Sequence, residues 1–153
     1  MYTIIFDWKR TLYDPDSKKL IKDAWQLLKF LKEKNANIVL IGKGGEEMDK
    51  EVSRLKIKKY FTKIIFQKGE KEKNLFIPFI SKKYPKSTII VGDRIRSEIE
   101  IGNQLKAFTV WIRQGKFSVE LPISKKQKPD FIVNSINDLL EFFRKEFKSQ
   151  IPV

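Results

Sequence analysis

The chain has 153 residues, the length of one average domain, so we expect a single domain over residues 1–153. It contains no cysteine and no histidine, which excludes disulfides, thiol nucleophiles, His-based triads and zinc sites of the Cys/His type. The formal net charge is +13, from 32 Lys and Arg against 19 Asp and Glu; this bias attracts phosphate-rich partners, and Lys enrichment is equally typical of a thermophile's surface.

Helix and strand periods alternate along the chain, which is the pattern of βα units that feed a parallel sheet. Short, nearly all apolar runs predict strands buried on both faces, at residues 3–6, 38–41, 63–66, 88–91, 108–112 and 130–133. Apolar residues at helical spacing predict the helices between them, at about residues 18–34, 46–55, 73–83, 97–106 and 136–147. The expected fold class is therefore α/β: one Rossmann-like domain whose central parallel sheet carries helices on both faces.

Three candidate site residues follow predicted strands directly. Asp7 ends the first strand, Gly42 ends the second, and Asp93 follows the fourth after Gly92. In open parallel sheets, ligands bind at the carboxyl ends of strands, where the strand order reverses. We therefore expect these residues to lie around one cleft.

The motifs at these positions resemble those of the haloacid dehalogenase (HAD) superfamily. They are the run FDWKRTL over residues 6–12, Gly42, and the run VGD over residues 91–93 with Glu98 five residues after the Asp. The resemblance covers essentially the whole chain and implies a HAD-like fold. The spacing between the motifs leaves no room for an inserted cap domain, so the chain resembles a capless member.

The first motif of that superfamily implies that Asp7 is a nucleophile that forms a covalent aspartyl intermediate, with Thr11 beside it. Lys9 stands where phosphatases of the superfamily have a second Asp as general acid and base. An ammonium cannot accept a proton at neutral pH, so Lys9 cannot play that part unless burial lowers its pKa strongly. Either Lys9 points outward, or metal binds poorly beside it, or Lys9 itself neutralises Asp7 in place of a metal.

The second and third motifs are incomplete. Gly42 stands where the superfamily supplies a Ser or Thr hydroxyl, although the amides of Gly42, Lys43 and Gly44 remain candidate donors to an anion. The alternative is an ordinary turn. For the lysine of the third motif, Lys73 is the first choice and Lys71 the second.

The fourth motif implies a Mg²⁺ site. The resemblance assigns the metal to Asp7, Asp93 and the backbone carbonyl of Lys9, with Glu98 acting directly or through water. A Lys9 ammonium close to the metal would oppose its binding.

The leading hypothesis is a HAD-like hydrolase, phosphatase-like, that acts through Asp7 with Mg²⁺ on a phosphorylated small molecule or a macromolecular phosphate. The alternative is a catalytically degenerate protein that uses the same cleft to bind a phosphorylated ligand, nucleic acid or a protein partner. Trp8 and Trp111 are expected to be packing residues, and Lys125, Lys126 and Lys128 to form a solvated basic loop. With no signal-like start and no long apolar run, we expect a cytoplasmic protein without a membrane partner; an oligomer stays open.

Overall fold

A six-stranded parallel sheet forms the centre of this computed structural model, which describes residues 1–149. The strands of the sheet, in chain order, are β1 (Thr3–Phe6), β4 (Asn37–Lys43), β5 (Lys63–Gln67), β6 (Thr88–Gly92), β7 (Phe108–Ile112) and β8 (Phe131–Val133). All six predicted strands are confirmed, and their spatial order is β5-β4-β1-β6-β7-β8 with every neighbouring pair parallel.

The strand order reverses between β1 and β6. The chain leaves β1 towards β4 and β5 on one side, and it leaves β6 towards β7 and β8 on the other. Phe6 pairs with Val91, so β1 and β6 end side by side. Asp7 and Asp93 follow these ends, which places both acids at the reversal point where such sheets bind ligands.

Both faces of the sheet are covered, as predicted. Ile4 and Phe6 face a larger core that includes residues of helices α1 (Ala24–Glu33), α2 (Glu46–Arg54) and α4 (Ile136–Ser149). Ile5 faces a smaller core, where residues of α3 (Glu100–Gln104) and of two 3₁₀ turns pack. No helix within residues 1–149 is long and apolar enough to cross a membrane.

The first predicted helix begins six residues later than expected. Residues 13–20 instead form a small antiparallel hairpin of β2 (Tyr13–Asp14) and β3 (Lys19–Leu20). The Asp14 carboxylate accepts hydrogen bonds from the Asp16 backbone N–H and the Ser17 hydroxyl, both at 2.9 Å. These bonds close a tight turn that competes with helix formation. Leu20 and Ile21, which fit the helical spacing in the sequence, therefore lie before α1 begins.

The helix predicted over residues 73–83 is wrong. The chain makes two short 3₁₀ turns there, Lys73–Leu75 and Ile77–Phe79. Pro78 lies in the first positions of the second turn, where its missing N–H costs nothing, and it prevents an α-helix from running through. Phe76, between the two turns, is inserted into the smaller core.

Candidate active site

Asp7 is held in a fixed position at the end of β1. Its backbone N–H donates to the carbonyl of Val91 at 3.0 Å, and the Thr11 hydroxyl donates to its Oδ2 at 3.3 Å. Directly after Asp7 the chain turns tightly around the Trp8 carbonyl, which accepts hydrogen bonds from the N–H groups of Thr11, Leu12 and Tyr13. The Trp8 ring stacks on Tyr13 with centroids 4.8 Å apart and is fully buried, as expected for a packing residue.

Lys71 is the lysine that the structure places next to Asp7. Its Nζ lies 2.5 Å from Asp7 Oδ1, donates to the Ile41 carbonyl at 3.1 Å, and also contacts a carboxylate oxygen of Glu98. Lys73, the first choice from the sequence, is instead exposed on a 3₁₀ turn. The choice of Lys73 rested on a helix over residues 73–83. Because this helix does not form, the lysine that enters the cleft is Lys71, two residues earlier in the chain.

Asp7, Asp93 and Glu98 form one buried group of acids. Carboxylate oxygens of the three residues lie within 4.8 Å of one another. In place of the α-helix predicted to begin at about Ser97, a π-helix begins at Ile95 and carries Glu98 inward. Such wider turns are rare and are frequently found at functional sites. Gly92 makes room for this side chain, because a Cβ there would lie 2.6 Å from the Cβ of Glu98.

Burial and like charge give the three acids different proton affinities. Burial, together with the negative charge of Asp7, raises the pKa of Asp93 to about 9. Burial also raises the pKa of Glu98, with a further contribution from Asp7. For Asp7 the burial effect is outweighed by the Lys71 ammonium, which lowers the pKa of the Asp7 carboxyl. Asp7 is therefore the one acid of these three whose pKa is lowered.

Lys9 lines the same cleft as Asp7, and its charge also acts on Glu47 of α2. Hydrogen bonds from the backbone N–H groups of Glu47 and Gly45 lower the pKa of Glu47, and the charges of Lys68 and Lys9 lower it further. Within residues 1–149 the cation paired with Asp7 is Lys71. Lys71 therefore occupies the place beside Asp7 that was one of the three options for Lys9.

Of the amides suggested as anion donors at residues 42–44, that of Gly44 is already engaged. Gly42 and Lys43 belong to β4, and the Gly44 N–H is already bonded to the Gln67 carbonyl at 2.9 Å. The turn begins only at Gly44, because β4 ends two residues later than predicted. Lys43 still lines the cleft with its side chain and lies 3.7 Å from Glu70.

Restoring a hydroxyl at position 42 is expected to destabilise the protein. A Cβ on Gly42 would lie 2.6 Å from the Phe66 ring and 2.7 Å from the Trp8 Cβ. We expect Gly42→Ser to lower the free energy of unfolding by about 1–3 kcal/mol, measured by urea denaturation. Phe66→Leu should relieve part of this cost in the double variant. Strictly additive effects of the two substitutions would contradict the proposed clash.

The cleft above the acids has a volume of about 430 Å³ and a cationic rim. The Arg10 Nε lies 3.6 Å from Asp93 Oδ2, and the guanidinium groups of Arg10 and Arg94 lie 5.2 and 4.2 Å from the centre of the Phe117 ring. Lys116 also lines the cleft. These basic residues were not predicted from the sequence; the available signal was an Arg three positions after Asp7 and another directly after Asp93.

Comparison with known proteins agrees with this architecture. A family model described as HAD-hydrolase-like matches residues 61–139, just over half of the chain. A glyceraldehyde 3-phosphate phosphatase of Pyrococcus furiosus is 34% identical over 62 residues, which are 40% of this chain and 25% of that protein. The match thus spans a quarter of that relative's length.

Two further similarities extend over most of the chain. The mitochondrial phosphatidylglycerophosphatase GEP4 of Saccharomyces cerevisiae is 25% identical over 136 residues, covering 82% of this chain and 74% of that protein. A structure of D,D-heptose 1,7-bisphosphate phosphatase from B. bronchiseptica, complexed with magnesium and phosphate, shares the fold with a TM-score of 0.70, at 12% identity over 95% of this chain and 99% of that chain. Sequence motifs, sheet topology and family match agree: the chain belongs to the HAD-like hydrolases.

Proposed function

We propose that the protein is a phosphatase-like hydrolase of phosphomonoesters that uses Asp7 as its nucleophile. The observation that carries this proposal is the Lys71 ammonium, which contacts both Asp7 and Glu98 and keeps Asp7 ionised at neutral pH. An ionised carboxylate at a fixed position is what a covalent nucleophile requires. Relatives named as phosphatases, of a sugar phosphate and of a phospholipid, support the same reaction class.

The group of three acids fits a Mg²⁺ ion. Magnesium prefers oxygen ligands and is held by one or two carboxylates together with water and substrate phosphate. Asp93 Oδ2 and Glu98 Oε2 are buried and accept no hydrogen bond from any residue within 1–149. Glu98 Oε2 is available to a cation, whereas Asp93 Oδ2 faces Arg10 Nε at 3.6 Å, which a metal ion would have to displace or share. Asp7, Asp93 and Glu98 would hold the ion, which would supply positive charge against the substrate phosphate.

In the first half of the proposed reaction, an Asp7 carboxylate oxygen attacks phosphorus. The bond from phosphorus to the ester oxygen breaks, and the substrate leaves as an alkoxide or phenoxide while an aspartyl phosphate forms on Asp7. Lys71 and Thr11 hold the two Asp7 oxygens, so the attack geometry is fixed before substrate binds. Because Lys9 offers no carboxylic acid, the leaving group takes its proton from solvent.

In the second half, water attacks the phosphorus of the aspartyl phosphate, the bond to Asp7 breaks, and inorganic phosphate leaves. No carboxylate occupies position 9 to take the proton of this water, so the proton passes to solvent. General base catalysis contributes about 10²–10⁴-fold in rate, so we expect this step to be slow and the aspartyl phosphate to accumulate. Substrates whose leaving groups need no protonation, such as aryl and acyl phosphates, are expected to react best.

The proposal is tested by measuring phosphate release with and without Mg²⁺ on a panel of aryl, acyl and alkyl phosphates. We expect Mg²⁺-dependent release that follows leaving-group acidity, with a burst of the leaving group equal to the enzyme concentration. A panel without any release and without any phosphorylated protein would overturn the proposal.

Lys9→Asp is expected to accelerate turnover. The substitution places a carboxylate where a general acid and base would act, so breakdown of the aspartyl phosphate should rise by about 10²-fold or more. Single-turnover measurements with p-nitrophenyl phosphate separate this step from the first. Lys9→Ala is the matched control, since it removes the same ammonium without adding a base. Equal rates for the two variants would show that the missing base does not limit turnover.

Stability of the metal-free protein is expected to fall as the pH rises towards about 9 because of Asp93. The folded protein keeps the Asp93 proton up to that pH, whereas the unfolded chain loses it near about pH 4. Between these values the unfolded state binds fewer protons, so this residue's contribution to stability decreases with pH. Mg²⁺ binds the ionised form, so the stabilisation by Mg²⁺ should increase with pH over the same window.

Urea unfolding over a pH series, in EDTA and in Mg²⁺, measures both effects. Asp93→Asn is the control, because an amide in the same place does not titrate. The difference in stability between wild type and Asp93→Asn isolates this residue from the other acids. A difference that does not change with pH would contradict the raised pKa of Asp93.

A second candidate function is binding of a phosphorylated ligand without turnover. The specific observations that favour it are the ammonium at position 9 and the crowded Gly42, where no hydroxyl can be accommodated without movement of Phe66. Tight, Mg²⁺-dependent binding of inorganic phosphate, combined with no release from any member of the panel, would select it.

A further inference from the structure

The loop between β7 and β8 exposes three aliphatic side chains in succession. Val119, Leu121 and Ile123 are 81, 72 and 77% exposed, although this loop, residues 116–128, is not short of polar residues. Soluble domains rarely display neighbouring aliphatic side chains to this extent without a partner. The exposed side chains of this loop therefore indicate a surface that binds a partner.

The outward orientation is imposed by the structure of the loop. Glu120 points inward, where its carboxylate oxygens lie 3.7 Å from Arg94 Nε and 3.7 Å from Arg96 Nε. Its neighbours Val119 and Leu121 are left on the outer side. The loop is anchored again by buried Gln127, whose side-chain oxygen accepts the Ile123 N–H at 3.1 Å.

A third anchor lies at the end of the loop. The Asn103 amide donates to the carbonyls of Lys126 and Lys128, each at 2.7 Å. Polar contacts of Glu120, Gln127 and Asn103 thus hold the loop in place. Its aliphatic side chains point outward, where they make no contact that would account for this orientation. We call Val119, Leu121 and Ile123 the aliphatic tip. The loop that carries them is held in a defined conformation, so their exposure does not result from fraying.

The charges around the aliphatic tip select the occupant. Lys116, Lys125, Lys126 and Lys128 are all exposed in the same loop, and the chain as a whole carries a net charge of +13. A second copy of the chain would bring the same cations into contact, whereas an anionic lipid surface complements them. Aliphatic side chains flanked by lysines are the combination that inserts into the headgroup region of such a surface.

We propose that the 116–128 loop docks the protein on an anionic lipid surface, with Val119, Leu121 and Ile123 inserted among the lipids. This surface docking needs no membrane span, so it revises only the expectation that the protein has no membrane partner. Lys116 and Phe117 line the cleft as well, so docking brings the cleft mouth close to the lipid headgroups. The proposal concerns binding and is independent of the proposed hydrolase activity.

Flotation with lipid vesicles tests the proposal on the full chain. We expect binding to vesicles that contain phosphatidylglycerol and much weaker binding to pure phosphatidylcholine. The triple variant Val119→Ser, Leu121→Ser, Ile123→Ser keeps every charge, and its partition onto the anionic vesicles should fall about tenfold or more. Ile77→Ser is the matched control, because it removes an exposed aliphatic side chain outside the loop and should leave binding unchanged.

The absence of cysteine allows a second, site-specific measurement. An environment-sensitive dye on Leu121→Cys should shift its emission to the blue when anionic vesicles are added, while the same dye on Ile77→Cys should not. Circular dichroism of each variant verifies that it is folded. Equal vesicle binding by wild type and the triple variant, or no dye shift at position 121, would overturn the proposal. A third result would also overturn it: wild type that forms a dimer but does not bind vesicles, with a triple variant that is monomeric. The three side chains would then contact a second copy of the chain.

Discussion

Asp7→Asn is expected to reduce phosphate release by at least about 10⁴-fold, the scale of loss when a covalent nucleophile is removed. An amide oxygen is a poor nucleophile and carries no charge, so neither the attack on phosphorus nor the aspartyl phosphate should be detectable. Intact-protein mass spectrometry after an acid quench measures the intermediate directly. Wild type should show the added phosphate group during turnover, and Asp7→Asn should not.

Asp16→Asn is the matched control for this experiment. Asp16 also lines the cleft, yet it lies outside the group of Asp7, Asp93 and Glu98. We expect its substitution to leave both the rate and the intermediate within about twofold of wild type, as for most surface substitutions. If Asp7→Asn kept the wild-type rate, another group would carry the chemistry and the proposed function would be wrong.

The sheet could be predicted from the sequence because its parallel strands are buried in the interior of the domain. A strand buried on both faces consists of consecutive apolar residues, as in Thr3–Phe6 and Thr88–Gly92, and such runs stand out from a Lys-rich background. The acids Asp7 and Asp93 follow these runs directly. Their proximity then follows from parallel pairing alone, since the carboxyl ends of neighbouring strands meet at one edge.

The parts that could not be predicted depend on contacts between distant segments. Lys71 is one of many lysines in the sequence, and only the fold shows that its Nζ reaches the Ile41 carbonyl and two acids. Glu98 points inward through a π-helix, which has no sequence signal of its own. The Arg10 backbone adopts a left-handed φ of 65° within the turn after Asp7, which strand and helix periods do not describe.

The difference between Lys71 and Lys73 gives the sharpest test of the site. Lys71→Met removes the only cation that contacts both Asp7 and Glu98 within the described residues 1–149, and leaves these two buried carboxylates without this counter-ion. Breaking a buried ion pair from one side costs about 3–5 kcal/mol, so we expect a loss of this size in the free energy of unfolding at neutral pH. Lys73→Met should change it by no more than about 0.5 kcal/mol.

The Lys71→Met loss should have a charge signature that a packing defect would lack. Acidic pH protonates the stranded carboxyls and Mg²⁺ supplies positive charge beside them, so both conditions should restore much of the lost stability. The rate of aspartyl phosphate formation should fall by about 10²-fold or more even when the variant is folded, because Asp7 is then no longer held ionised and in place. A destabilisation that neither acid nor Mg²⁺ relieves would mean that Lys71 acts by filling space, and the nucleophile would need another source of activation.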